Sequence, residues 1–93
     1  MKHDLIIIGA GPAGLTAAVY AARYKLNTLI IGKLPGGMAG EAYKICNFPS
    51  HKRIDGFELM GQMLKQVKEI GVEIKREEVL DLNGKDGNFI IKT

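Results

Sequence analysis

Asp4-Leu5-Ile6-Ile7-Ile8-Gly9-Ala10-Gly11-Pro12-Ala13-Gly14-Leu15 is the stretch on which the fold turns. Its short apolar run reads as a buried parallel strand, and it ends abruptly in Gly-x-Gly-x-x-Gly. An alanine-rich helical stretch, Leu15 to Lys25, follows directly. Strand, glycine turn and helix in that order form a phosphate cradle of the dinucleotide-binding kind. Gly9 permits the tight turn, Gly11 lets backbone approach a pyrophosphate, and Gly14 lets helix and strand pack closely. The phosphates then meet free N–H groups and the positive end of a helix dipole.

Working outward, Leu15, Ala18, Val19, Ala22 and Leu26 recur on one helical stripe, and Thr28–Ile31 reads as a second buried strand. Residues 32–53 form a long irregular connection containing Pro35, Gly36, Gly37, Gly40 and Pro49. A connection of that length inside a compact domain is usually functional or disordered, and its glycine pair and apolar residues Leu34, Met38, Ile45 and Phe48 argue against plain disorder. Asp55 is placed to cap a helix, with Glu58 completing a capping box. Phe57, Met60, Met63, Leu64, Val67 and Ile70 follow at helical spacing, and Gly71 sits at the C-terminal cap. The two methionines read as core filler. Val72–Lys75 reads as a third strand, and Glu78–Leu82 with Asn88–Lys92 as a hairpin around Asn83–Gly87. The expected fold class is therefore α/β: a Rossmann-like βαβ arrangement with a parallel sheet plus a C-terminal β-hairpin.

Composition narrows the chemistry. A net charge of +3, with basic residues scattered and no aromatic ladder among them, gives no footprint for nucleic acid. No apolar run approaches the roughly 18 residues of a membrane helix, and Leu5–Ile8 is too short for a signal-peptide core, so a cytoplasmic chain is expected. Cys46 is the single cysteine, which excludes an internal disulfide and a Cys-x-x-Cys pair among these residues; its apolar neighbourhood predicts a buried, inert thiol. His3 and His51 lack partners at metal-ligand spacing and read as surface residues. No general base or nucleophile stands out, so no catalytic residue is assigned.

Three blocks give the chain a specific resemblance. They are Ile8 to Arg23, with Pro12-Ala13 between the second and third glycines; Gly36-Gly37-Met38 followed by Asn47-Phe48-Pro49; and Ile54-Asp55-Gly56-Phe57-Glu58-Leu59-Met60. Together they resemble the N-terminal part of the FAD domain of bacterial-type thioredoxin reductases, within the pyridine nucleotide-disulfide oxidoreductases. The resemblance implies that residues 1–93 are the N-terminal portion of an FAD/NAD(P)-binding domain. It implies cofactor contacts from Gly9, Ala10, Gly11, Pro12, Ala13 and Gly14 to the pyrophosphate. Gly36, Gly37, Met38 and Asn47 would border the flavin, and Gly32 and Lys33 would lie at the end of the second strand.

In the parent reaction so implied, NADPH reduces FAD and the flavin passes electrons to a protein disulfide such as a thioredoxin-like partner. The nicotinamide domain and its redox Cys pair are not within these residues, so this chain alone is expected not to turn over. Two departures matter. The second strand ends Ile31-Gly32-Lys33 without the usual ribose-binding carboxylate, and Lys33 there keeps an NADP-type reading open. Met38 stands where the family usually has glutamine. An NAD(P)-binding module of another oxidoreductase and a cofactor-free scaffold remnant remain as alternatives. Apolar surface left uncovered around residues 32–50 predicts a homo-oligomer.

Overall fold

β-Branched residues in short runs, each closed by glycine or a polar turn, dictate strands rather than helices. The structure, a computed structural model, describes residues 2–41 and 45–93. Its elements are β1 (Leu5–Ile8), α1 (Pro12–Arg23), β2 (Thr28–Ile31), a short 3₁₀ helix (Gly37–Glu41), α2 (Gly56–Glu69), β3 (Glu73–Lys75), β4 (Asp81–Lys85) and β5 (Asn88–Lys92). The first three strands form a parallel sheet in the order β1-β2-β3, and β4 pairs antiparallel with β5. The expected α/β architecture, with parallel sheet and hairpin, is the one observed.

Register explains the core. Ile7 pairs with Ile30 and Ile30 with Ile74, so one row of isoleucines crosses the sheet. That row packs with Leu15 and Ala18 of α1, Val67 of α2, and Val72. Leu15, Ile30 and Val67 are fully buried, each worth about 1.5–3 kcal/mol in removed apolar surface. All four residues of β2 are buried, as befits the central strand of a parallel sheet. A second cluster joins Ile54, Leu59 and Met60 to Ile45 and Phe48, and Met63 touches both clusters.

Helix ends differ from the sequence expectation in instructive ways. α1 starts at Pro12 rather than Leu15, because proline at the first helical position forfeits only an N–H that no turn would satisfy. It ends at Arg23 because Lys25 enters the left-handed region (φ 59°). The Lys25 N–H then donates to Ala22 O at 2.9 Å and the Leu26 N–H to Ala21 O at 3.1 Å, a Schellman closure. Leu26 is consequently turned out and 41% exposed. α2 closes the same way on Gly71, with Gly71 N–H to Lys68 O and Val72 N–H to Val67 O.

Asp55 caps α2 as expected: its Oδ1 accepts from the Phe57 N–H at 2.8 Å and the Glu58 N–H at 3.3 Å. Among the described residues the Glu58 side chain returns no bond to the Asp55 N–H, so the expected capping box is only half formed. Met60 and Val67 are buried, whereas Phe57 is 80% exposed and Ile70 also faces solvent, so the apolar stripe is shorter than its spacing suggested.

The hairpin is displaced from expectation. β4 runs through Asn83-Gly84 to Lys85, and the turn is Asp86-Gly87, with φ of 55° and 81°. Two consecutive positive φ values match the twist of paired strands, which selects this Xaa-Gly step over the earlier one.

Cys46 is exposed, contrary to the buried thiol expected. Ile45 and Ile54 exchange backbone hydrogen bonds at 2.7 and 2.9 Å, which turns Ile45 toward the second cluster and its neighbour outward.

Candidate dinucleotide cradle

β1 delivers the chain to the cradle. The Gly9 N–H donates to Ile31 O at 2.8 Å, and Gly9 itself turns with φ of 111°. Gly11 then caps α1 in extended backbone, without any side-chain cap and with no acidic residue in the first turn. The Leu15 N–H bonds to Gly11 O, leaving the amides of Ala13 and Gly14 without intrahelical acceptors. These donors lie at the positive end of α1, where they suit an anion. A Cβ on Gly14 would collide with Gly9 O, so glycine is what lets the helix seat against the strand end.

Two further segments close on this turn. A Cβ on Gly32 would lie 2.7 Å from Ala10 Cβ, which places the end of β2 directly against the cradle. The Gly36 N–H donates to Ala10 O at 2.7 Å. Gly37 (φ 57°) sits so close that its Cβ would be 3.0 Å from Gly11 Cα. Beneath this loop lies Met60, whose Cβ would be 3.0 Å from a Cβ on Gly36. The second cluster therefore holds the loop from below.

The structure thus brings together Gly9, Ala10, Gly11, Pro12, Ala13, Gly14, Gly32, Gly36 and Gly37. Lys33 follows at once, exposed, with its Nζ 4.0 Å from Glu78 Oε2. Met38 has its backbone in the 3₁₀ helix, and its side chain lies outside the described residues. Asn47 is exposed and makes no hydrogen bond to the cradle among the described residues.

Glu78 was not singled out from the sequence, since no local signal marks it. Its neighbour Glu77 has its Oε2 2.9 Å from Lys75 Nζ. The Lys75 ammonium beside it, helped by the Thr93 hydroxyl, holds the Glu77 carboxyl below the ordinary glutamate value despite partial burial. Among the described residues no group of three His, Cys, Asp or Glu could hold a metal ion, and no helix is long and apolar enough to cross a membrane.

A parallel sheet with a glycine turn leading into a helix that has no side-chain cap defines an α/β segment of Rossmann type. The family model described as pyridine nucleotide-disulphide oxidoreductase matches residues 3–93. The chain belongs to that family. It is 41% identical to the thioredoxin reductase of Bacillus subtilis over 90% of this chain and 27% of that protein. It is 46% identical to the "34.2 kDa protein in rubredoxin operon" of Clostridium pasteurianum, over 97% of this chain and 30% of that protein. Among solved structures, that of Lactococcus lactis thioredoxin reductase superposes with a TM-score of 0.93 at 36% identity, covering 98% of this chain and 30% of that one. The chain is thioredoxin reductase-like and spans about 30% of the length of these relatives.

Proposed function

We propose that residues 1–93 are the N-terminal portion of the FAD-binding domain of a thioredoxin reductase-like flavoprotein. In that reading the parent passes electrons from NADPH through FAD to a protein disulfide, in the cytoplasm. The observation that carries it is the Gly36 N–H to Ala10 O hydrogen bond at 2.7 Å, which fastens the glycine pair to the phosphate turn. A glycine turn alone would serve any dinucleotide; a second Cβ-free segment pressed against it suits a cofactor with a flat ring beyond its pyrophosphate.

The residues fit such a group. Gly9, Ala10, Gly11, Pro12, Ala13 and Gly14 shape the turn that holds and orients the pyrophosphate, the free amides of Ala13 and Gly14 donating to it, with no acidic side chain in the first helical turn to oppose it. Gly36, Gly37, Met38 and Asn47 line the flavin side, and Gly32 with Lys33 lies toward the adenosine. Bound FAD supplies the electron transfer, and this segment supplies its position. No side chain here is assigned a proton-transfer or nucleophilic role.

The reading is tested by titrating the purified chain with FAD and following flavin fluorescence and absorbance. Saturable binding at one FAD per chain is expected. Saturable NADPH binding with none of FAD would favour the alternative, an NAD(P)-binding module; binding of neither by a cooperatively folded chain would favour a scaffold. A partner such as thioredoxin would engage through the parts of the parent outside these residues. Leu5, Ile8 and Leu34 are all exposed, the first two on an edge strand, which supports self-association as a homo-oligomer. A monomeric mass by light scattering at high concentration would refute that element.

A further inference from the structure

The end of β2 carries no carboxylate, yet the fold brings one there. The Gly32 N–H donates to Lys75 O at 3.0 Å, so the chain leaving β3 passes beside the chain leaving β2. Three residues on, Glu78 reaches Lys33 with an Oε2–Nζ separation of 4.0 Å. Lys33 directly follows Gly32, which packs on Ala10 of the cradle. The pair therefore lies one residue from the phosphate turn, on the side opened by β2 and β3.

We infer that Glu78 serves as the ribose-reading carboxylate of this site, and that the Lys33–Glu78 pair selects a free 2′-hydroxyl over a 2′-phosphate. This rests on the dinucleotide reading above. At 4.0 Å the pair is an ion pair without a hydrogen bond, so both Glu78 oxygens keep acceptor capacity for vicinal hydroxyls. The side chains of Lys33 and Glu78 are 78% and 63% exposed, which leaves them open to a ligand. Glu77 is less available for this, its carboxylate already facing the Lys75 ammonium at 2.9 Å.

Lys33 does not act here as a lone cation. An unpaired lysine at the strand end would attract a 2′-phosphate. Here its charge is offset by Glu78, and a phosphate bringing about two negative charges would meet a carboxylate within reach of the same ribose. Hydroxyl donors, by contrast, gain an ionised acceptor.

The test compares ADP with its 2′-phosphorylated analogue as competitors of FAD on the intact chain, with Glu78→Gln and Lys33→Gln variants checked for fold by circular dichroism. The chain should prefer ADP by about tenfold, the scale of one exposed charge-assisted hydrogen bond. Glu78→Gln should weaken ADP binding and shrink the preference to within about twofold. Lys33→Gln should keep or widen it. An unchanged preference in Glu78→Gln, with FAD still bound, overturns this inference and leaves the cradle reading standing. Failure of the unaltered chain to bind FAD and ADP overturns both.

Discussion

Gly36 and Ala10 are joined by a 2.7 Å hydrogen bond between backbone groups of segments separated by a helix and a strand. The bond makes the second glycine loop part of the phosphate turn. Adding a methyl group at Gly37 attacks this junction, since its φ is 57° and its Cβ would meet Gly11 Cα at 3.0 Å. Gly37→Ala is expected to weaken FAD binding about tenfold and lower stability by about 1 kcal/mol for the left-handed backbone. Fluorescence titration and urea unfolding measure the two effects; unaltered affinity would show that the loop does not shape the site.

Gly14 and Gly61 offer a contrast within helices. At Gly14 a Cβ would strike Gly9 O, while at Gly61 it would enter open space. Gly14→Ala should cost about 1–3 kcal/mol by overpacking and Gly61→Ala should stabilise by about 0.5–1 kcal/mol through helix propensity. Denaturant midpoints decide between them, and equal shifts for both would refute the packing argument.

Asp55 caps the N-terminus of α2, satisfying two first-turn amides through one oxygen. Asp55→Ala is expected to destabilise the protein by about 1 kcal/mol. Asp55→Asn should recover most of the loss, because its side-chain carbonyl accepts the same bonds. A thermal melt in which Asn is no better than Ala would place the effect elsewhere.

Glu77 ties the exit of β3 to Lys75. Its carboxyl is held below the ordinary glutamate value, chiefly by the adjacent Lys75 ammonium. A group with a depressed folded-state value contributes stability that is complete above its unfolded pKa and disappears as pH falls through the folded one. Lys75→Met should therefore raise the Glu77 titration midpoint and remove this part of the acid dependence. Carboxyl-carbon NMR titration reads the midpoint directly; no upward movement in the variant would sink the assignment.

What the sequence discloses here is local. β1, the glycine turn and α1 are legible because one apolar run, three glycines and one helical stripe sit side by side in the chain. Asp55 and Gly71 are legible because caps use a small set of residue types at fixed offsets. The hairpin turn was displaced because Asn83-Gly84 and Asp86-Gly87 are equivalent signals until cross-strand pairing, such as Leu82 with Ile91, picks one. The outward thiol of Cys46 depends on the Ile45–Ile54 bridge, and the meeting of Lys33 with Glu78 on how β2 and β3 end side by side. Such contacts join distant residues, and no periodicity encodes them.

The sheet and the hairpin also differ in how fast they can arise. β4 and β5 are linked by two residues, so their pairing needs almost no loop closure and should form within microseconds. β1, β2 and β3 meet only after two crossovers have been threaded, one of them through the long segment containing the 3₁₀ helix. Parallel pairing of this kind is slow because distant contacts must close before any is rewarded. The cradle, which depends on the ends of β1 and β2 and on Gly36, is consequently among the last features to exist as the chain folds. A ligand that recognises it can therefore report completion of the sheet in a stopped-flow refolding experiment, arriving after the hairpin.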